Sequence, residues 1–240
     1  MEHFKTGYPA PGPEYLKPTA FFDFDAPEVR AFADANAAGA KTDIEKAVKL
    51  YYAVRDQVRY DPYRITLEPR FFSASQVLAD KAGFCLPKAS LLVAVARAAG
   101  IPTAIGTSDV RNHLCTERLL RVMGGRNLFI HHGYAVMHLA GKWVKAAPAF
   151  NIELCDRFDV LPTEFDGRTD ALFQQFDKRG RKHMEYVANH GVWSDFPFER
   201  IERDFRAYYP ASFHDDLARE AALRDTGAAP KFEDEKPVLA

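Results

Sequence analysis

Cysteine is scarce in this sequence. The three present, Cys85, Cys115 and Cys155, are too few and too far apart for a disulfide framework, and no CxxC pair opens a zinc site. Charge of one sign is lacking as well: 32 Lys and Arg stand against 33 Asp and Glu, for a net charge of -1. The broad positive field that nucleic acid or an anionic membrane requires is therefore missing, and neither is an expected partner. The opening stretch MEHFKTGYPAPGPEYLKP lacks the apolar run of a signal peptide and any segment able to cross a bilayer, so a cytoplasmic location is the expectation. Repeats of fixed period and low-complexity tracts are also absent, which removes solenoids.

What is present is the composition of a folded globular chain, 47% hydrophobic and 27% charged, long enough for one domain with a sizeable core. The four prolines and one glycine between Tyr8 and Pro18 predict an extended stretch, and residues 1–40 as a whole read as an N-terminal arm. Residues 41–214 form the predicted domain. Residues 215–240, rich in Ala, Asp, Glu and Lys without an apolar pattern after Leu223, read as a flexible tail.

Within the domain, Thr42 followed by Glu45 predicts a capped helix whose apolar face carries Ile44, Val48, Tyr51 and Val58. A second helix is predicted from Cys85 to the stop signal at Gly100, apolar on nearly every side and hence buried. IPTAIGT reads as a strand, and LFIHHGYAVMHL with KWVKAAPAF as a hairpin turning at Ala140 and Gly141. Helix packed on antiparallel sheet is an α+β arrangement. The insertion 108–127 is too long for a simple connection, so it is a lid or a packed surface helix. Residues 152–198 are weakly periodic and predict no definite elements.

Cys85 lies in GFCLPKAS, after Gly83 and at the start of the buried helix. Unpaired amides and the helix dipole there favour a thiolate, the attacking form, and can also receive an oxyanion. Cys115 and Cys155 have no such surroundings and read as structural. A thiol nucleophile needs a base, which His supplies best near neutral pH. In the strand FIHHGYAVMHL, alternation groups His132 with Tyr134, Val136 and His138, and His131 with Gly133, Ala135 and Met137, so only one of the pair can face the helix.

Taken together, SASQVLADKAGFCLPKASLLVAVARAAGIPTAIG and HGYAVMHLAGKWVKAAPAF resemble the transglutaminase-like family, with its glycine-x-cysteine helix, AAGIP exit, and His-small-aromatic strand before a Trp-containing strand. The likeness extends from about Thr42 to Phe150. It implies a papain-like α+β core in which Cys85 is the nucleophile and His132 its partner. One position departs from the family pattern. The Asp-Pro that ends the Trp-containing strand, whose acid orients the His, is replaced by Ala147 before Pro148. Asn151, four positions on, is the first substitute as orienter, and Asp166 the second; a backbone carbonyl is a third option.

The resemblance implies acyl chemistry on a peptide, amide or small-molecule acyl substrate through a Cys85 acyl-enzyme, with hydrolysis favoured over cross-linking. A scaffold domain that has lost its triad, or a cysteine enzyme of small-metabolite chemistry, are the alternatives. No cofactor and no metal are expected, since His183, Glu185 and His190 do not have the spacing of a zinc motif. Arg118, Arg121 and Arg126 read as a solvated helix face, with a site for a substrate carboxylate as the sharper alternative.

Overall fold

Thr42 starts its helix as the sequence predicts: Thr42 Oγ1 accepts from Glu45 N at 3.2 Å. The returning bond from Glu45 is made to Lys41 N, at 2.6 Å, one residue earlier than in a reciprocal capping box. The structure, a computed structural model, describes residues 8, 10–173, 175–226 and 230–240. Its elements are α1 (Pro27–Ala37), α2 (Asp43–Gln57), β1 (Arg59–Tyr60), α3 (Ala74–Asp80), β2 (Ala82–Gly83), α4 (Cys85–Ala98), β3 (Thr103–Asn112) and β4 (Leu114–Thr116). They continue with α5 (Glu117–Val122), β5 (Leu128–Leu139), β6 (Lys142–Ala146), α6 (Ile152–Phe158), β7 (Met184–Trp193), α7 (Phe198–Tyr208), α8 (Ala211–Asp225) and β8 (Pro237–Leu239).

The central sheet has the order β6-β5-β3-β7 and is antiparallel throughout. Its tight hairpin turns at Ala140 and Gly141, both at positive φ, the conformation that matches strand twist. Against one face lies α4, in which every residue from Leu86 to Arg97 is buried. Burial of each large aliphatic side chain here contributes about 1.5–3 kcal/mol. Ala135 and Met137 of β5 join this main core, whereas Tyr134 and Val136 project into a smaller cluster with Tyr15 and Ala147 on the opposite face. Two buried basic side chains tie the layers together. Lys88 Nζ donates to the carbonyls of Arg55 (2.9 Å) and Val58 at the end of α2, and Arg97 donates to the carbonyls of Thr103, Lys17 and Ser194.

Three expectations from the sequence need correction. Residues 1–40 are not an arm as a whole, because Phe22 and Val29 are fully buried and α1 packs against α2 and α4. Within the proline-rich stretch, Tyr15 lies edge-on to Trp143 at 5.2 Å, so that stretch too is docked on the sheet. The insertion 108–127 starts later than expected, since β3 runs to Asn112 and β4 follows; of its two readings the packed helix holds, as α5 with Leu119 and Val122 buried. The described residues of 215–240 are not a loose tail: α8 buries Leu217, and β8 pairs antiparallel with β4; residues 227–229 lie outside the described residues. Long-range packing, invisible to local periodicity, holds all three. Residues 152–198, where the sequence predicts no definite elements, supply the edge strand β7, which is largely exposed and so carries no clean alternation. Among the described residues no helix is long and apolar enough to cross a membrane.

Candidate active site

Helix α4 begins at Cys85, and the preceding Phe84 provides no side-chain cap. The first amides of the helix are thus left for the thiol. Cys85 is partly exposed; the neighbouring backbone amides of Gly133, Leu86 and Cys85 favour its thiolate, but desolvation outweighs them and pushes the thiol up to about 11. Desolvation thus works against the ready thiolate expected at a helix start. Gly133 is required for the approach: a Cβ there would lie 2.8 Å from Leu86 Cδ2 and 3.1 Å from Leu86 Cα. Gly83 serves a related need, since its φ is not positive and an added Cβ would meet Pro87 at 3.2 Å.

The adjacent histidines have separate fates. His131 sits at a β-bulge between β3 and β5 with φ +56°. Its ring is bonded at Nδ1 to Thr107 Oγ1 (3.0 Å) and at Nε2 to Asp204 Oδ2 (2.8 Å), and it stacks on His190 at 4.1 Å. His132 is opposite Ser108 in the register and lines one cavity together with Cys85. Both ring nitrogens of His132 are buried without a hydrogen-bond partner. Packing alone holds the ring, with Phe173 at 4.7 Å and Tyr186 at 6.1 Å. Burial lowers its pKa to about 3. Thiol and imidazole are therefore both neutral, shifted by desolvation in the directions that oppose proton transfer between them.

The expected orienter is not at the imidazole. Asn151 is buried, but its Oδ1 accepts from Tyr60 N at 3.0 Å and its Nδ2 donates to Glu153 at 2.8 Å. The side chain is consumed in tying the start of α6 to β1. Asp166 is exposed and closes its own turn on Arg168 N and Thr169 N, so it does not serve either. At the position where the family carries its acid, Ala147 packs in the small apolar cluster while its carbonyl accepts from Tyr51 Oη at 3.1 Å.

The cavity shared by Cys85 and His132 is about 30 Å³ and is walled by aromatics, among them Tyr60, Phe150, Phe173 and Phe232. That volume suits about one water molecule. A much larger groove, about 710 Å³, runs between residues 63–71 and α8, and Gly83 and Pro87 on either side of Cys85 form part of its wall. The groove contains neither Cys85 nor His132, so it can serve the site only as an approach. Cys115 and Cys155 are buried, and burial raises both thiols to about 12. His190 Nε2 pairs with Asp109 Oδ1 at 2.6 Å, and His183 lies beside Phe150 and Phe173. Arg118 is no solvated residue: it pairs with Glu220 and Glu235 and covers the Tyr63 ring. Sequence reasoning missed Phe173 and Phe232, which lie in weakly patterned segments and come to the cavity only through the tertiary fold.

A cysteine at a helix start, set against a strand with a histidine beside the point of closest approach, defines a papain-like cysteine fold. The chain carries a core of the transglutaminase-like superfamily, whose family model matches residues 30–148. Among solved structures it is similar to a provisionally named cysteine protease from Cytophaga hutchinsonii, at 15% identity and TM-score 0.43, covering 75% of this chain and 52% of that one. It is also similar to a provisionally named protease from Parabacteroides distasonis ATCC 8503, at 18% identity and TM-score 0.37, covering 53% of this chain and 26% of that one. The chain thus spans about half, or less, of the structures it matches. No curated protein matches it.

Proposed function

We propose that the chain is a cysteine-dependent acyl-transfer enzyme that hydrolyses an amide or related acyl bond through a Cys85 thioester. Cys85 Sγ attacks the carbonyl carbon while His132 takes the thiol proton and passes it to the departing amine. Water, activated by the same imidazole, then cleaves the thioester and releases the acid. The amides at the start of α4 stabilise the oxyanion. The observation that carries this reading is Cys85 at the uncapped start of α4, lining one cavity together with His132. With no acid at the imidazole, the pair works as a dyad whose ring is held by aromatic packing.

A second reading, a scaffold domain that keeps the fold without the chemistry, is favoured by Ala147 and by the unpartnered imidazole. The two separate on incubating the protein with amide and thioester substrates and recording intact mass. An acyl adduct on Cys85 that disappears in Cys85→Ala and persists in Cys115→Ser and Cys155→Ser supports the enzyme. Absence of any adduct and of turnover, with Cys85 no more reactive than a model thiol, supports the scaffold.

A further inference from the structure

The wall of the Cys85–His132 cavity is completed by a residue far away in the chain. Phe232, in the 3₁₀ turn Phe232–Asp234, is buried and packs on Phe158 at 5.0 Å and on Tyr60 and Tyr63 at 5.9 Å each. The segment that carries it is laid down as a bound peptide would be. Residues 237–239 pair with β4 in the register Thr116↔Pro237, Cys115↔Val238 and Leu114↔Leu239, the strand-addition mode by which extended peptides are recognised. Glu235, three residues after Phe232, receives Arg118 Nη1 at 2.9 Å and Tyr63 Oη at 3.0 Å, and Asp234 pairs with Arg157.

Resting on the hydrolase reading above, we propose that Phe232 occupies the apolar subsite of a peptide substrate and that residues 231–239 plug the active site. The external substrate is then an extended peptide that presents an aromatic side chain to this subsite and a carboxylate, three residues on, to Arg118. Two features support the plug. The remaining cavity, about 30 Å³, has no room for a side chain, and the unpartnered imidazole of His132 is sealed from water that would otherwise solvate it. Withdrawal of Phe232 would open the cavity, rehydrate the imidazole and widen access to the thiol, which is already partly exposed.

The test uses the full chain and measures iodoacetamide labelling at each cysteine by mass spectrometry at fixed pH. Phe232→Ala is expected to label Cys85 at least about tenfold faster than the unmodified chain, as removal of a closed local state requires. Millimolar N-acetylphenylalanine amide should restore protection, and N-acetylalanine amide should not. An unchanged Cys85 rate, or equal protection by the two amides, overturns the proposal. Should Phe232→Ala unfold, seen as uniform labelling of Cys155 too, Glu235→Arg loosens the segment by charge reversal without truncating the core and must accelerate Cys85 in the same way. Faster labelling without turnover would leave the plug and remove the hydrolase reading. Turnover that is the same in the unmodified chain and in Phe232→Ala would do the reverse.

Discussion

His131 and Asp204 are joined at 2.8 Å between Nε2 and Oδ2, which fastens β5 to α7 at the residue just before the candidate base. The carboxylate accepts from the ring, leaving Nδ1 to accept from Thr107 Oγ1. Burial lowers the pKa of His131, while Asp204, His190 and Asp109 surround it from α7, β7 and β3. Removal of the acceptor in Asp204→Ala leaves a buried donor unpaired, and should cost about 1–3 kcal/mol. Urea unfolding measures this directly, and a loss below a few tenths of a kcal/mol would show that the bond has no hold on the bulge.

Stability should fall in acid. His132 and His183 have folded pKa values of about 3 and about 4 against an ordinary 6.5, so below 6.5 the unfolded chain binds protons that the folded chain refuses. Their contribution is complete above 6.5 and is lost as pH falls toward 4, with a combined slope approaching about 2.7 kcal/mol per pH unit. Cys85 acts in the opposite sense. Its raised thiol contributes stability that is complete below 9.0 and is lost as pH rises toward about 11. Urea midpoints across pH 4.5–8 test the acid limb, and His132→Phe should flatten it.

Asn151→Ala should behave as a structural lesion. Loss of the acceptor for Tyr60 N is expected to cost about 1–3 kcal/mol, while turnover per folded molecule stays well above that of Cys85→Ala, which should have none. A variant of normal stability that has lost its chemistry would return Asn151 to the imidazole.

Gly133→Ala tests the contact between β5 and the start of α4. The added methyl would sit 2.8 Å from Leu86 Cδ2, and overpacking of this kind costs about 1–3 kcal/mol. Because Gly133 packs against Leu86, the residue next to Cys85, the displacement should alter the iodoacetamide rate at Cys85 while Cys155 stays unchanged. If thermal midpoint and labelling both match the parent chain, the strand does not approach as closely as described.

The sequence by itself determined the parts whose cause is local. Thr42 caps because its hydroxyl reaches an amide three residues on, and Gly100, at φ +82°, ends α4 because a residue without Cβ tolerates that conformation. Ala140 and Gly141 turn the hairpin as predicted, and GFC places Cys85 at the mouth of a helix apolar on nearly every side. What only the tertiary structure decided depends on residues distant in sequence. Whether Cys85 is a thiolate or a thiol is set by how much protein covers it, and much of that cover comes from β5 and from aromatic side chains far along the chain. His131 is removed from the site by Asp204, 73 residues away, and Asn151 by Tyr60, 91 residues away. Asn151 illustrates the limit most simply: its side chain could orient a histidine, and a backbone amide took it first.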